Sequence, residues 1–257
     1  MTPGEAETAR TVLVIAPHPD DAEIGCGGLM ALLAARGVRV VIVDLTRGEM
    51  GSTGTPRERL AEGRRAARIL GAAARENLGL PDFALTYSMD HVRPVTEAIR
   101  RHRPDVVLTI RDADPHPDHN ACHEIARGAC LAAGLPRLPV SGEPHRPGRL
   151  FMFSVGCHLP PDFVIDITGF QEIKRKALLA HKSQFKREKG GSGTPLNDPA
   201  YIEGVLARDR YFGWQVGVKC AEGFYGAGRL LADALPGLAP RGPAPQAPAP
   251  RGPAAPR

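Results

Sequence analysis

Two short stretches of this chain combine side chains that could do chemistry. The first is His18-Pro19-Asp20-Asp21, and the second is Asp112-Ala-Asp-Pro-His116-Pro-Asp118-His119. Imidazole and carboxylate together suit a borderline metal ion such as zinc, and a spare carboxylate beside them suits a general base. Asp20 or Asp21 would serve equally well as the cap of a following helix.

The elements that must position these groups are legible on either side. Thr11–Ala16 and Val106–Ile110 are short, continuous apolar runs of the kind that form buried parallel strands. Each acidic His motif directly follows such a run, and in open α/β sheets ligands bind beyond the carboxyl ends of the strands. If the two strands are neighbours, His18, Asp21 and His119 form a three-ligand site with an open fourth position, the pattern of a catalytic zinc. His119 then falls in the first turn of a helix beginning at 118.

These residues resemble the LmbE-like (PIG-L) zinc-dependent N-acetylglucosaminyl deacetylases. The resemblance rests on Pro17-His-Pro-Asp-Asp21 with Glu23-Ile-Gly25, and on His116-Pro-Asp-His119 about a hundred residues later. It extends from about residue 11 to about residue 230. Leu45–Thr55, Asn77–Asp82, Ser183-Gln-Phe185, Gly217-Val and Ala221-Glu-Gly-Phe224 are similar to the bacillithiol-biosynthesis branch, whose substrate is N-acetylglucosaminyl malate.

The resemblance implies an α/β, Rossmann-like three-layer fold with a mostly parallel sheet and the metal at the carboxyl ends of the strands. It implies an enzyme using Zn²⁺ on His18, Asp21 and His119 to hydrolyse a linear amide and release acetate. The substrate would be a small N-acetylglucosamine conjugate, most simply the malate conjugate, with chitobiose or inositol conjugates as alternatives. Asp20 is by resemblance the general base. His116 is expected beside the developing oxyanion, where it would stabilise the charge if protonated, with the Asp118 carboxylate holding its ring. The proton of the leaving amine would come from Asp20 or His116. Relatives are often trimers or hexamers, so a homo-oligomer is implied.

Further substrate contacts are expected at Arg59, Tyr201, Arg47, Arg111 and His158. Arg59 could instead belong to a solvated helical face, Tyr201 could simply pack, and His158 could be a surface histidine. Relatives in the malate branch can carry arginine just before the second His motif. Here Pro115 stands in that place, with Arg111 nearby.

Composition excludes several other classes. The net charge of +5 invites a nucleic-acid reading, but three of the arginines lie in the Pro/Ala/Gly segment Pro236–Arg257. No stripe of alternating aromatic and basic residues is present. That segment lacks the apolar surface to offset its ordering entropy and is expected to be a disordered tail on a single domain spanning 1–235. No apolar stretch reaches the ~18 residues needed to cross a bilayer, and no signal-peptide pattern opens the chain. Five cysteines without a CxxC pair suit a reducing cytoplasm, with Cys26 a small buried side chain.

A dinucleotide fingerprint would need its glycines at the first strand-to-helix turn, whereas Gly25, Gly27 and Gly28 come about nine residues later. There is no G-x-S-x-G elbow. His119 and His123 are spaced like a metalloprotease pair, but Asn120 stands where that motif needs glutamate, so His123 reads as structural. A non-catalytic sugar-binding protein on the same fold remains an alternative.

Strands are expected near 11–16, 38–45, 75–79, 105–110, 149–155 and 162–167. Helices are expected near 22–36, 57–71, 91–102, 118–133, 169–182 and 200–213. Such alternation implies parallel strands with right-handed crossovers. Pro94 suits only a first helical turn. Gly190–Pro195 reads as a loop that could be a lid or a plain connection.

Overall fold

The computed structural model describes residues 10–156, 160–185, 195–198 and 200–227. The expected tail, the Gly190-Gly-Ser-Gly loop and His158 lie outside the described residues. The strands are β1 (Thr11–Ala16), β2 (Arg39–Thr46), β3 (Ala74–Leu80), β4 (Val106–Ile110), β5 (Arg149–Phe153), β6 (Phe163–Asp166) and β7 (Ala221–Gly226). The helices are α1 (Asp21–Ala35), α2 (Pro56–Leu70), α3 (Met89–His102), α4 (Pro117–Ala133), α5 (Gln171–Leu178), α6 (Lys182–Phe185) and α7 (Ala200–Gln215).

The sheet order is β3-β2-β1-β4-β5-β7-β6. Strands β1 to β5 are parallel, and β7 runs antiparallel to both β5 and β6. The order proceeds outward from β1 to β3 and then returns to the other side of β1. That reversal between β1 and β4 is the topological switch point, where the loops diverge and leave a crevice. Helices α1, α2 and α5 pack together and α3 packs on α4, which gives the two helical layers of a doubly wound sheet.

The central strands are apolar because both faces are covered. Leu13, Val14, Ile15, Val41, Ile42 and Val43 have no exposed surface, and burying such a side chain contributes about 1.5–3 kcal/mol. Register places Ile15 opposite Thr109 and Ala16 opposite Asp44. Strands β1 and β4 therefore deliver their following loops side by side.

Helix α1 is not continuous. Cys26 has non-helical angles (φ −143°, ψ 27°). The break strands the N–H groups of Gly28 and Leu29, which donate to the two carboxylate oxygens of Glu222 at 2.8 and 2.7 Å. Glu222 also accepts from the buried Lys174 ammonium at 2.7 Å, and Asp209 lies 2.9 Å from the same nitrogen. The glycines here serve close packing. A Cβ on Gly25 would fall 2.0 Å from the Phe153 ring, and one on Gly28 would fall 2.5 Å from Ile167.

Three expectations need correction. Strand β7 is absent from the sequence reading, because Ala221-Glu-Gly-Phe-Tyr-Gly226 has two glycines and a charge in place of a β-branched run. Pro94 lies well inside α3. Its missing N–H removes only a bond to the carbonyl of Asp90, an exposed first-turn residue. The single helix expected over 169–182 ends at Leu178, and α6 follows. Cys26 is buried, with its thiol donating to the Ala22 carbonyl at 3.4 Å. No described helix is long and apolar enough to cross a membrane.

Candidate active site

The loops after β1, β2, β3 and β4 enclose a cavity of about 270 Å³ at the switch point. It is lined by His18, Asp20, Asp21, Arg59, His116 and His119, among others. The β1–α1 loop is tied to the neighbouring strand, since the N–H and hydroxyl of Thr46 both donate to the Pro17 carbonyl.

Asp21 is the centre of the cluster. Its Oδ2 accepts from the His18 N–H at 3.1 Å and lies 3.0 Å from His18 Nδ1 and 3.5 Å from His119 Nε2. Donor atoms of His18, Asp21 and His119 fall within 4.8 Å of one another. The nitrogen of each ring that faces away from Asp21 meets a carboxylate: His18 Nε2 is 3.1 Å from Asp82 and His119 Nδ1 is 3.0 Å from Asp114. Metal-binding histidines are held in this way, because the outer carboxylate fixes tautomer and orientation.

His18, His116 and Asp118 also bring donor atoms within 4.8 Å. That set fits a cation less well, because Asp118 is committed elsewhere. Its carboxylate accepts from Phe83 N–H at 2.7 Å and Leu85 N–H at 3.2 Å.

The electrostatics of the first trio also match a cation. Burial alone would lower the His18 pKa, but Asp118, Asp21 and Asp82 hold it well above the usual imidazole range. His119 resists the same burial effect through Asp21 and Asp114 and rises to about 9. Asp82 opposes burial through His18 and falls to about 2. A cradle with carboxylates in excess of imidazoles is built to neutralise positive charge, and borderline N/O donors of this kind suit zinc.

Asp20 sits at the N-cap position of α1 but makes no capping bond. Its backbone has φ 145° and ψ −29°, a strained conformation for a residue with a side chain. The carboxylate instead lies 3.4 Å from Arg59 Nη2. Burial raises its pKa to about 6, with Arg59 opposing the rise. The helix-cap alternative for Asp20 is thereby removed. Arg59 is buried and donates to the carbonyls of Gly48 at 3.0 Å and Pro19 at 3.4 Å, so it does not belong to a solvated helical face.

His116 caps α4. Its Nδ1 accepts the N–H of Asp118 at 3.2 Å. The expectation that the Asp118 carboxylate holds this ring is corrected here, since that carboxylate meets the Phe83 and Leu85 N–H groups. With Nδ1 accepting, the proton resides on Nε2 and the ring is neutral. Burial and the neighbouring His18 and His119 charges further lower its pKa. The Asp118 carboxylate anchors the β3–α3 loop and lies 3.6 Å from His18 Nε2.

Among the expected substrate contacts, Arg59 and Tyr201 line the cavity. Tyr201 stacks on Phe185, with centroids 5.8 Å apart. Arg47 is exposed and lies against Gly79. Arg111 stacks over the Tyr225 ring at 4.1 Å and lines a separate depression with His123 and Asp162. Neither Arg47 nor Arg111 is brought to the cavity. His123 Nδ1 lies 3.2 Å from the Ile110 carbonyl, as a structural residue would.

Sequence reasoning missed Asp82 and Asp114 as partners of the two imidazoles, and Gln184, which lines the cavity and donates to the Thr53 carbonyl at 2.8 Å. Asp82 had a signal: it is the first carboxylate past the end of a third parallel strand at the same sheet edge.

Comparison with known proteins agrees with this geometry. Residues 13–130 match the family model PIG-L, described as GlcNAc-PI de-N-acetylase. A diacetylchitobiose deacetylase of Thermococcus kodakarensis is 32% identical over 79% of this chain and 80% of its own length. The Bacillus subtilis protein named "Probable N-acetyl-alpha-D-glucosaminyl L-malate deacetylase 2" is 31% identical over 67% of this chain and 82% of its own. The crystal structure of the conserved protein TT1542 from Thermus thermophilus superposes with a TM-score of 0.79 at 42% identity, covering 86% of this chain and 96% of that one.

Proposed function

Since this chain belongs to the PIG-L family of LmbE-like proteins, we propose that it is a zinc-dependent deacetylase that removes the acetyl group from an N-acetylglucosamine conjugate. One observation carries the reading. Asp20 is a buried carboxylate that takes up strain, declines its capping role and stands beside a three-donor cradle. A residue placed for stability would have capped the helix.

When bound by His18, Asp21 and His119, Zn²⁺ supplies a Lewis acid that acidifies a water and polarises the acetyl oxygen. Asp20 accepts the proton of the attacking water, since a carboxylate raised to about 6 is ionised at neutral pH yet basic enough to hold a proton. Arg59 keeps it ionised and fixes its direction. His116 donates Nε2–H toward the carbonyl oxygen as charge develops there. A neutral imidazole whose Nδ1 is occupied has no second proton to release, so Asp20 returns its proton to the amine as the C–N bond breaks. The products are acetate and a free amine.

The aglycone reading favours a neutral conjugate over malate. A carboxylate-bearing aglycone would call for cations at the rim. Among the described residues the arginine lining the cavity is Arg59, already directed at Asp20 and two carbonyls. The test is acetate release by zinc-loaded protein from N-acetylglucosamine, its malate and inositol conjugates, and diacetylchitobiose. No release from any of them overturns the deacetylase reading. Preference for malate overturns the neutral-aglycone part alone.

A further inference from the structure

Phe83 and Met50 are among the most exposed large apolar side chains of the described residues, at 64% and 69%, and both line the mouth of the catalytic cavity. Two apolar groups presented to water at the rim of a polar site call for an explanation.

The backbone beneath them is unusual. Phe83 has φ 59°, in the left-handed region that a bulky residue rarely adopts. The strain is held in place by hydrogen bonds. The Phe83 N–H donates to Asp118 Oδ2 at 2.7 Å and to Asp82 Oδ1 at 3.0 Å. The Met50 N–H donates to the other oxygen of Asp82 at 2.9 Å. Asp82 is thus one carboxylate with three duties: it orients His18 and fixes both rim residues. The Phe83 ring also stands edge-on to His116, with centroids 6.0 Å apart and planes at 90°. A glycine would satisfy the φ without strain. Retaining an aromatic there gains nothing for the core, because most of its surface is in water.

Resting on the deacetylase reading, we propose that Phe83 and Met50 form a subsite for the group attached to the reacting sugar, and that this group is a ring with an apolar C–H face, such as a second pyranose or a cyclitol. The Phe83 ring packs against that face, Met50 closes the other side, and the rigid tether to Asp82 and Asp118 sets their distance from the catalytic groups. A short, flexible, charged aglycone such as malate has no flat apolar face to place there. The two rim residues are then specificity determinants, and their contribution appears only when a second ring is present.

The experiment compares wild type, Phe83→Gly and Phe83→Tyr, each zinc-loaded, on N-acetylglucosamine and diacetylchitobiose. In Phe83→Gly the ratio of kcat/KM on the disaccharide to kcat/KM on the monosaccharide should fall by about fivefold or more, mainly through KM, the range expected for one aromatic contact. Phe83→Tyr should restore the ratio. Melting temperature should be unchanged or higher in Phe83→Gly, because a strained φ is relieved and little buried surface is lost. Equal losses on both substrates, a lower melting temperature, or a change in sedimentation showing that a second copy covers Phe83 would each overturn the proposal. Absence of acetate release from every substrate by the wild type would instead sink the deacetylase reading itself.

Discussion

Helices α1 and α2 both start beside the cavity, and they start in opposite ways. Helix α2 opens with a capping box: the Thr55 hydroxyl accepts from Glu58 N–H, Glu58 accepts from Thr55 N–H, and Pro56 occupies the first turn. Helix α1 opens with Asp20, an equally good capping type that makes no cap and holds φ 145°. Helix α4 lies between these cases, capped by the imidazole that also lines the cavity. Where a helix start carries no reacting group, its chemistry serves stability. At Asp20 the side chain is withdrawn from the backbone and the start of α1 is left short of a partner.

The largest effect should come from the cradle. His18→Ala, Asp21→Ala and His119→Ala should each lose zinc, measured by metal analysis, and with it essentially all turnover. Full occupancy in all three would show that the cation binds elsewhere. Next is Asp20→Asn, which should keep its zinc but lower kcat on the order of 10²-fold or more. Zinc loss in this variant with zinc retention in Asp21→Asn would mean that the two roles are exchanged. Asp20→Gly sharpens the contrast with α2. It should be inactive yet melt at or above the wild-type temperature, because the strained angle is relieved. A lower melting temperature would show that the Asp20–Arg59 pair stabilises the fold more than the strained φ costs.

His116→Ala should retain zinc and lose kcat by about 10²-fold, the usual worth of one oxyanion donor. It should also melt slightly lower, because α4 loses its cap. The smallest effect belongs to α2. Thr55→Ala should lower the melting temperature by about 2–4 °C, with kcat unchanged. The pKa of Glu58 lies below its ordinary value because of its bonds to Thr55. Its contribution is therefore present above the ordinary glutamate pKa and lost as pH falls through the lowered one. A Thr55→Ala deficit that persists undiminished in acid would remove Glu58 from this account.

The candidate metal donors His18, Asp21 and His119 were readable because their spacing follows strand ends, and strand ends follow apolar runs. The roles of Asp118 and His116 were not readable, because they depend on which backbone N–H each side chain meets. Asp118 sits two residues from His116 in sequence, yet its carboxylate turns to Phe83 and Leu85, 35 and 33 residues away. Strand β7 was hidden for a related reason. Its Glu222 is a buried acid whose partners, Lys174 and the broken turn of α1, are visible only once the fold has closed.

That last contact constrains the order in which the molecule can be completed. The amides released at Cys26 belong to α1, while the acceptor of the Gly28 N–H lies 194 residues further on. At about 5–20 residues per second of translation, the break in α1 waits roughly 10–40 s for its acceptor. During that interval the loop bearing His18 and Asp21 is joined to a helix whose middle is unfinished. A nascent chain ending before Glu222 therefore carries His18 and Asp21 without the carboxylate that accepts the Gly28 and Leu29 amides.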